Sequence, residues 1–293
     1  TGLEIEDLCN NQSGIRDYWA MSMFWGTQPD GVFTLSEDAK KALSRTKSLH
    51  FQPGTQYAYS NLNFHILARV VEKVTESSLN DLLTQRLFAP ARMETAVFCE
   101  DNAHLPGPCI GYEGTEPFGF VPAVNRVQWS GDAGVVASLR DMIAYEQYLD
   151  KSWSDERSLY RAIAKVSTFR DGTPARYRHG LAHTKVEQVD TIGHGGSLRG
   201  FCLHRLQLPS ARLAIVVMLN HEIDAETIAN HVLRDIIDMY QPKLPSFNDL
   251  KVSQSWLGTF FDPDAQLALT VRDGGSDRVS IRYSYQDETV MLF

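Results

Sequence analysis

The chain has 293 residues, 43% hydrophobic and 22% charged, with a formal net charge of −8. Lys and Arg are scattered, with no basic stripe, which excludes the electrostatic footprint of phosphate-backbone binding and with it nucleic acid as a partner. The composition is that of a globular chain longer than one ordinary domain, and its longest apolar run, LAIVVML, is far short of the ~20 residues a membrane-crossing helix needs, so no membrane partner is predicted.

The chain opens TGLEIEDLC, with no initiator Met, basic stretch or apolar leader, and reads as a chain whose start was removed or as an internal piece. Leu3, Ile5 and Leu8 lead into NNQSGIRDYW, where Asn, Ser and Gly cluster as a loop before aromatic residues. After the turn QPGT, apolar residues recur at three and four (Leu62, Ile66, Leu67, Val70, Val71, Val74), predicting a helix from 61 with Asn61 capping its start. A second helix is signalled after the glycine turn GDAGVV, where Ser138 and Asp141 have the spacing of a capping box and Met142, Ile143, Tyr145, Tyr148 and Leu149 follow.

Residues 191–220 read as strands, with TIGHGGSLRGF as a glycine turn between apolar runs, and 225–240 as a helix. QPKLPSFND breaks that helix, and the residues beyond it alternate and turn as a meander of about three strands. Three units are expected: 1–242, a catalytic-type domain lacking its N-terminal part; 243–254, a linker; and 255–293, an antiparallel β domain that begins and does not finish. The four cysteines, Cys9, Cys99, Cys109 and Cys202, have no CxxC spacing and read as buried or incidental thiols. No metal or organic cofactor is implied.

The chemistry centres on QYAYSN. A tyrosine is a poor base at its free pKa near 10, but beside a cationic amine or imidazolium it can take a proton from a serine. An Asn two positions on can hydrogen-bond a substrate carbonyl, and a glycine-rich strand edge can offer a backbone N–H to an oxyanion. Tyr59, Asn61 and His194-Gly195-Gly196-Ser197 fit those parts, with Tyr59 and His194 as catalytic candidates and Asn61, Gly195, Gly196 and Ser197 as substrate-binding ones.

Phe51 to Asn61, F-x-P-G-x-x-Y-x-Y-S-N ahead of a helix, resembles the second signature of the serine β-lactamase and penicillin-binding-protein superfamily in its class C and D-peptidase branch. LCNNQSGIRDYW resembles the family's loop beside the active site, GDAGVVASLRDM its glycine turn before a helix, and GHGGSLRGF stands where the family has Lys-Thr-Gly. CNNQSG and GHGG together are similar to the D-aminopeptidase family. The resemblance implies an α/β (α+β) fold with helices against an antiparallel sheet, followed by the start of a β-barrel-type domain. It also implies a serine hydrolase releasing N-terminal D-residues from peptides, amides or esters, with a small peptide or amide as partner. A related esterase or β-lactamase, or an inert relative, stays open, as does a homodimer; the compartment is not fixed, the cytoplasm of a bacterial-type cell being favoured.

In the family the Lys of Lys-Thr-Gly binds a substrate carboxylate, whereas His194 is a weaker and switchable cation, so carboxylate-ended substrates are less expected. The family's nucleophile lies in Ser-x-x-Lys. The one match, Ser44-Arg45-Thr46-Lys47, follows too closely before Tyr59, so the nucleophile is expected upstream of Thr1 and the chain alone is expected to be inactive. Thr1 as an N-terminal nucleophile would leave Tyr59 and His194 unexplained. His179 and His183 have the i, i+4 spacing of a zinc pair, but Gly180 between them argues for a strand or turn. His65 and His231 read as surface or core residues, Trp19 and Trp129 as core with pocket walls as the alternative, and Arg126, Arg199 and Asn220 as open candidates for substrate contact.

Overall fold

Period-two patterning between 177 and 219 folds into five antiparallel strands: β1 (Tyr177–Arg178), β2 (Leu181–Val186), β3 (Val189–Leu198), β4 (Phe201–Leu208) and β5 (Leu213–Leu219), in the spatial order β5-β4-β3-β2-β1. The computed structural model describes residues 2–27, 32–107, 109–124, 126–236, 252–264, 266–275, 278–283 and 286–291. Glycines 193, 195 and 196, expected in a turn, lie inside β3; the reversal falls at Arg199 and Gly200, where Gly200 takes a φ of +82°. The apolar run of β5 lies at the sheet's edge, with Ile215 buried and its neighbours half-buried.

Helices α1 (Tyr18–Phe24), α2 (Asn61–Thr75), α3 (Leu139–Trp153) and α4 (Ala225–Ile236) supply the other layer. On one face of the sheet, Ala229 and Leu233 of α4 pack with Leu206, Leu208 and Ile215. On the other, α3 is tied down by a buried ion pair in which the Arg205 guanidinium grips Glu146, both side chains 8% exposed. Arg205 stands opposite His194 in the β3–β4 register, so this clasp fixes the strand that carries His194.

The start of α3 is the expected box: the Asp141 carboxylate accepts the Ser138 N–H at 2.8 Å and the Ser138 hydroxyl accepts the Asp141 N–H at 3.2 Å. The start of α2 differs from expectation. Its cap is Ser60, Asn61 is the first helical residue, and the Asn61 N–H goes to the distant Asp17 carboxylate at 2.6 Å. The α2 periodicity is real but its apolar stripe is only partly covered: Leu62 and Ala68 are buried while Val74 is 77% exposed.

A separate aromatic core joins Tyr18, Phe33, Leu62, Val127 and Trp129, with Tyr18 stacked on Phe33 at 4.8 Å and Trp19 on Trp129 at 5.3 Å. Trp19 and Trp129 are thus packing residues first.

Beyond 251 the meander has four strands, one more than expected: β6 (Gly258–Asp262), β7 (Leu267–Gly275), β8 (Arg278–Tyr283) and β9 (Gln286–Met291), paired in sequence order. The sheet is open among the described residues, with no closed barrel. It is fastened to the rest by Arg16, 8% exposed, which reaches Asp262 at 2.9 Å and donates to the Ser48 carbonyl at 2.6 Å, and by the Ser48 hydroxyl donating to Asp264. Most of 243–254 lies outside the described residues.

Candidate active site

The loop at 10–14 holds the Tyr59 segment in place. Asn10, Asn11, Gln12 and Ser13 are all buried; Asn10 bonds Glu6, Ser167 and the His179 N–H, while several groups of the other three bond residues within 54–63. The Asn11 carbonyl accepts the Ala58 N–H at 3.0 Å, and its side-chain oxygen accepts the Ser60 N–H at 3.1 Å and the Asn63 amide at 2.8 Å. The Gln12 carbonyl accepts the Gly54 N–H at 2.8 Å and the Ser13 hydroxyl donates to Asn63 at 2.7 Å. Gly14 sits at φ +74°, where a Cβ would come within 2.5 Å of the Phe51 carbonyl, so this crossing admits only glycine.

Tyr59 emerges from that clamp 43% exposed. Its ring centre lies 6.0 Å from that of His194 and 6.0 Å from that of Tyr177, edge-on to the latter. The Tyr177 hydroxyl is 3.1 Å from His194 Nε2, and His194 Nδ1 is 2.6 Å from the Gly195 carbonyl. A carbonyl oxygen only accepts, so Nδ1 carries the proton, and in the neutral ring Nε2 accepts from Tyr177. β2 stops pairing at Gly193, leaving His194 to Leu198 joined to β4 alone, and it is this freed edge that His194 occupies beside Tyr59.

Electrostatically the Tyr59 neighbourhood is acidic. Burial, and then the charges of Tyr57, Asp17 and Asp132, push the Tyr59 phenol up to about 12, the opposite of the activation expected beside a cation. Burial raises the Asp17 carboxyl, and it raises Asp132 to about 6 even though the Tyr18 hydroxyl donates to Asp132.

A cavity of about 310 Å³ opens between Tyr57, Tyr59, Tyr177 and His194 at one end and His204, Glu226 and Asn230 at the other, floored by Gly193 and Gly195. The expected site residues divide between two spaces. Tyr59, His194 and Gly195 line this cavity, whereas Gly196 and Ser197 line a more apolar one of about 440 Å³ with Trp129, Leu203 and Met218. The split runs along the strand: Gly193, His194 and Gly195 line the first cavity, and Gly196, Ser197 and Leu198 the second. Asn61 lines neither cavity; it is the first residue of α2, two positions after Tyr59.

Ser44 is exposed, its hydroxyl donates to the Lys41 carbonyl at 2.8 Å, and neither it nor Lys47 lines a cavity described here. His179 lies in a turn at φ +49° and His183 on β2, so they share no helix face. Arg199 grips Glu113 with two bonds of 2.6 and 2.8 Å, which anchors the hairpin Tyr112–Thr115/Gly119–Pro122. Arg126 lines a further hollow of about 480 Å³ on that side, and Asn220 donates to the Ile110 carbonyl at 3.3 Å. The sequence reading missed Tyr177, His204, Glu226 and Asn230. Tyr57 was inside the quoted motif without being singled out.

Residues 1–236 match the family model described as Beta-lactamase, and 249–293 match that of D-aminopeptidase, domain B; the chain belongs to the beta-lactamase family. It is 43% identical over 279 residues to a D-aminopeptidase of Brucella ovis, covering 95% of this chain and 53% of that protein. The chain thus spans about half the length of the curated relatives it matches. Among solved structures, a penicillin-binding protein homologue of Pyrococcus abyssi, described as octameric, aligns with a TM-score of 0.64 at 16% identity, over 100% of this chain and 71% of that one. A D-stereospecific amidohydrolase from Streptomyces aligns with a TM-score of 0.64 at 17% identity, over 81% and 73%. At such identities these two likenesses concern the fold alone. No helix among the described residues is long and apolar enough to cross a membrane.

Proposed function

We propose that the protein is a serine hydrolase that releases N-terminal D-amino acids, D-alanine-like, from small peptides, amides or esters through an acyl-enzyme. The observation that carries this reading is the meeting of Tyr59 and His194, far apart in sequence, at one cavity edged by a glycine-rich strand. The names of its Brucella relatives and of the domain-B family support the substrate class.

In this mechanism a serine hydroxyl attacks the amide carbonyl, its proton passing to the Tyr59 oxygen; the oxyanion is held by backbone N–H groups of the Gly195–Ser197 edge; and Tyr59 returns a proton to the leaving amine. Water then cleaves the acyl-enzyme. With its phenol near 12, Tyr59 is suited as drawn to donate rather than to accept, so the forward step calls for a cation beside it. His194 relays protons through the Tyr177 contact. The attacking serine and a lysine to draw Tyr59 down are not among the residues lining this cavity, and we place both on the protein outside residues 1–293, with 243–254 as a linker between a catalytic-type unit, 1–242, and the β unit, 255–293.

The test is a substrate panel on the full-length protein. D-Ala-p-nitroanilide should be hydrolysed faster than its L counterpart and faster than nitrocefin, and Tyr59→Phe should lower kcat by about 10²–10⁴-fold. Faster turnover of nitrocefin or of simple acyl esters overturns the aminopeptidase reading, and residues 1–293 alone should be silent.

A further inference from the structure

We propose that Tyr177 is a positioning residue, which acts through His194 to brace the glycine edge of β3 and so presents the Ser197 N–H to the developing oxyanion. The oxyanion end rests on the hydrolase reading; the brace itself stands on the following geometry.

Two turns settle which way the backbone of β3 faces. The two-residue turns at 187–188 and 199–200 are closed by the pairs Val186–Val189 and Leu198–Phe201, and in a turn of this size the C=O of the first residue accepts the N–H of the fourth. Successive residues of an antiparallel strand bond to opposite sides, so Val189, Thr191 and Gly193 face β2, whereas Ile192, His194, Gly196 and Leu198 face β4. Both turns give the same phase. Since β2 ends its pairing at Gly193, the N–H and C=O groups of Gly195 and Ser197 project from an edge with no strand beside it among the described residues.

That edge is soft, and its polar groups compete. Gly195 and Gly196 have no side chain to restrict their dihedrals, and a bare Gly195 carbonyl would turn its negative end toward the same edge as the Ser197 N–H. His194 removes both problems. Its Nδ1–H donates to the Gly195 carbonyl at 2.6 Å, which occupies the acceptor and holds the peptide plane, and planarity then keeps the Gly196 N–H on the opposite side, toward β4. The ring is held in turn at Nε2, 3.1 Å from the Tyr177 hydroxyl. Tyr177 is the fixed end of the brace: it is 6% exposed, its ring centre lies 5.5 Å from that of Tyr57 and 6.0 Å from that of Tyr59, and β1 and β2 pair it with Ala182. Burial, and then the charges of Tyr59 and Tyr57, raise its phenol above the ordinary range, so it stays a donor to Nε2.

A brace serves every substrate whose carbonyl becomes an oxyanion, whereas a proton relay matters where the leaving group needs a proton. The experiment therefore measures the acylation rate, from the first-turnover burst, for D-Ala-p-nitroanilide and for the p-nitrophenyl ester of D-alanine, whose phenolate departs unprotonated. The proteins are the full-length chain and its Tyr177→Phe, His194→Asn and His194→Gln variants. Tyr177→Phe should slow acylation by the ester about tenfold, short of the ~10²–10³ lost with an oxyanion donor itself, and the relay adds to the loss on the anilide. His194→Asn, whose amide can still donate to the Gly195 carbonyl from the Nδ1 position, should keep more ester activity than His194→Gln, whose amide reaches toward Tyr177 instead. Nitrogen NMR of the His194 ring supplies a readout that needs no turnover: Tyr177→Phe should move the Nε2 resonance toward that of a free imine nitrogen and displace the Gly196 amide signal. Those shifts in a protein that hydrolyses neither compound sink the hydrolase reading and keep the brace. An ester rate that Tyr177→Phe leaves unchanged, Nε2 and Gly196 signals that do not move, or a His194→Gln variant no worse than His194→Asn overturns it; if Tyr177→Phe does not fold, the two His194 variants decide alone.

Discussion

The two walls of the cavity are held by different physics. The wall that carries Tyr59 is fixed by the buried Asn11 and Ser13 side chains, which hydrogen-bond the Ser60 N–H and the Asn63 side chain, so its accuracy depends on polar groups finding their partners. The opposite wall, carrying His194 and Tyr177, is fixed by strand register and by one buried ion pair behind it. The first kind of support fails one hydrogen bond at a time, whereas the second fails as a unit.

Breaking the second wall should cost most. Glu146→Ala leaves the Arg205 guanidinium buried without its carboxylate, and about 3–5 kcal/mol of stability should be lost, read as a lower urea midpoint. A loss below about 1 kcal/mol would show that strand register alone suffices.

The first wall should respond to pH. Asp132 titrates near 6 in the fold against 3.8 for the free group, so native protein binds the proton more tightly than the unfolded chain. Its contribution is fully present below about pH 4 and is lost as pH rises through about 6, a decline of about 2–3 kcal/mol. Asp132→Asn should flatten stability across that window in denaturation curves taken at several pH values; an unaltered slope would assign the effect elsewhere.

The smallest of the three effects belongs to a single partner in the clamp. Asn11→Ala strands the Ser60 N–H and the Asn63 amide, which should cost about 1–3 kcal/mol and lower kcat more than KM in the full-length protein by loosening Tyr59. An effect on KM alone would move Asn11 from positioning to substrate contact.

The same contrast governs what could be read from the sequence. Local chemistry was legible: Ser138 and Asp141 announce the start of α3, and the three-four recurrence after 61 announces α2, because caps and helical period are written within a few residues. The Asn61 cap was misplaced because the group that takes its N–H, Asp17, is far away in the chain. The glycines of β3 read as a turn since Gly usually serves there, whereas here they keep a strand face bare beneath a cavity. Tyr177, His204, Glu226 and Asn230 carry no local signature. They reach the cavity through the β1–β2 hairpin, the β3–β4 register and the seat of α4, and pairing partners are not encoded by any spacing a single sequence displays.

The Arg16 tether has a practical corollary. Its guanidinium is almost enclosed and is shared between the Ser48 carbonyl and Asp262, while the next residue, Asp17, holds the backbone of Asn61. A protease cut between 236 and 252 that let the second sheet diffuse away would abandon an enclosed cation one residue from the support of the tyrosine loop. The two lobes are therefore obliged to travel as a pair, and any dissected version meant to keep the cavity intact has to carry Asp262 with it.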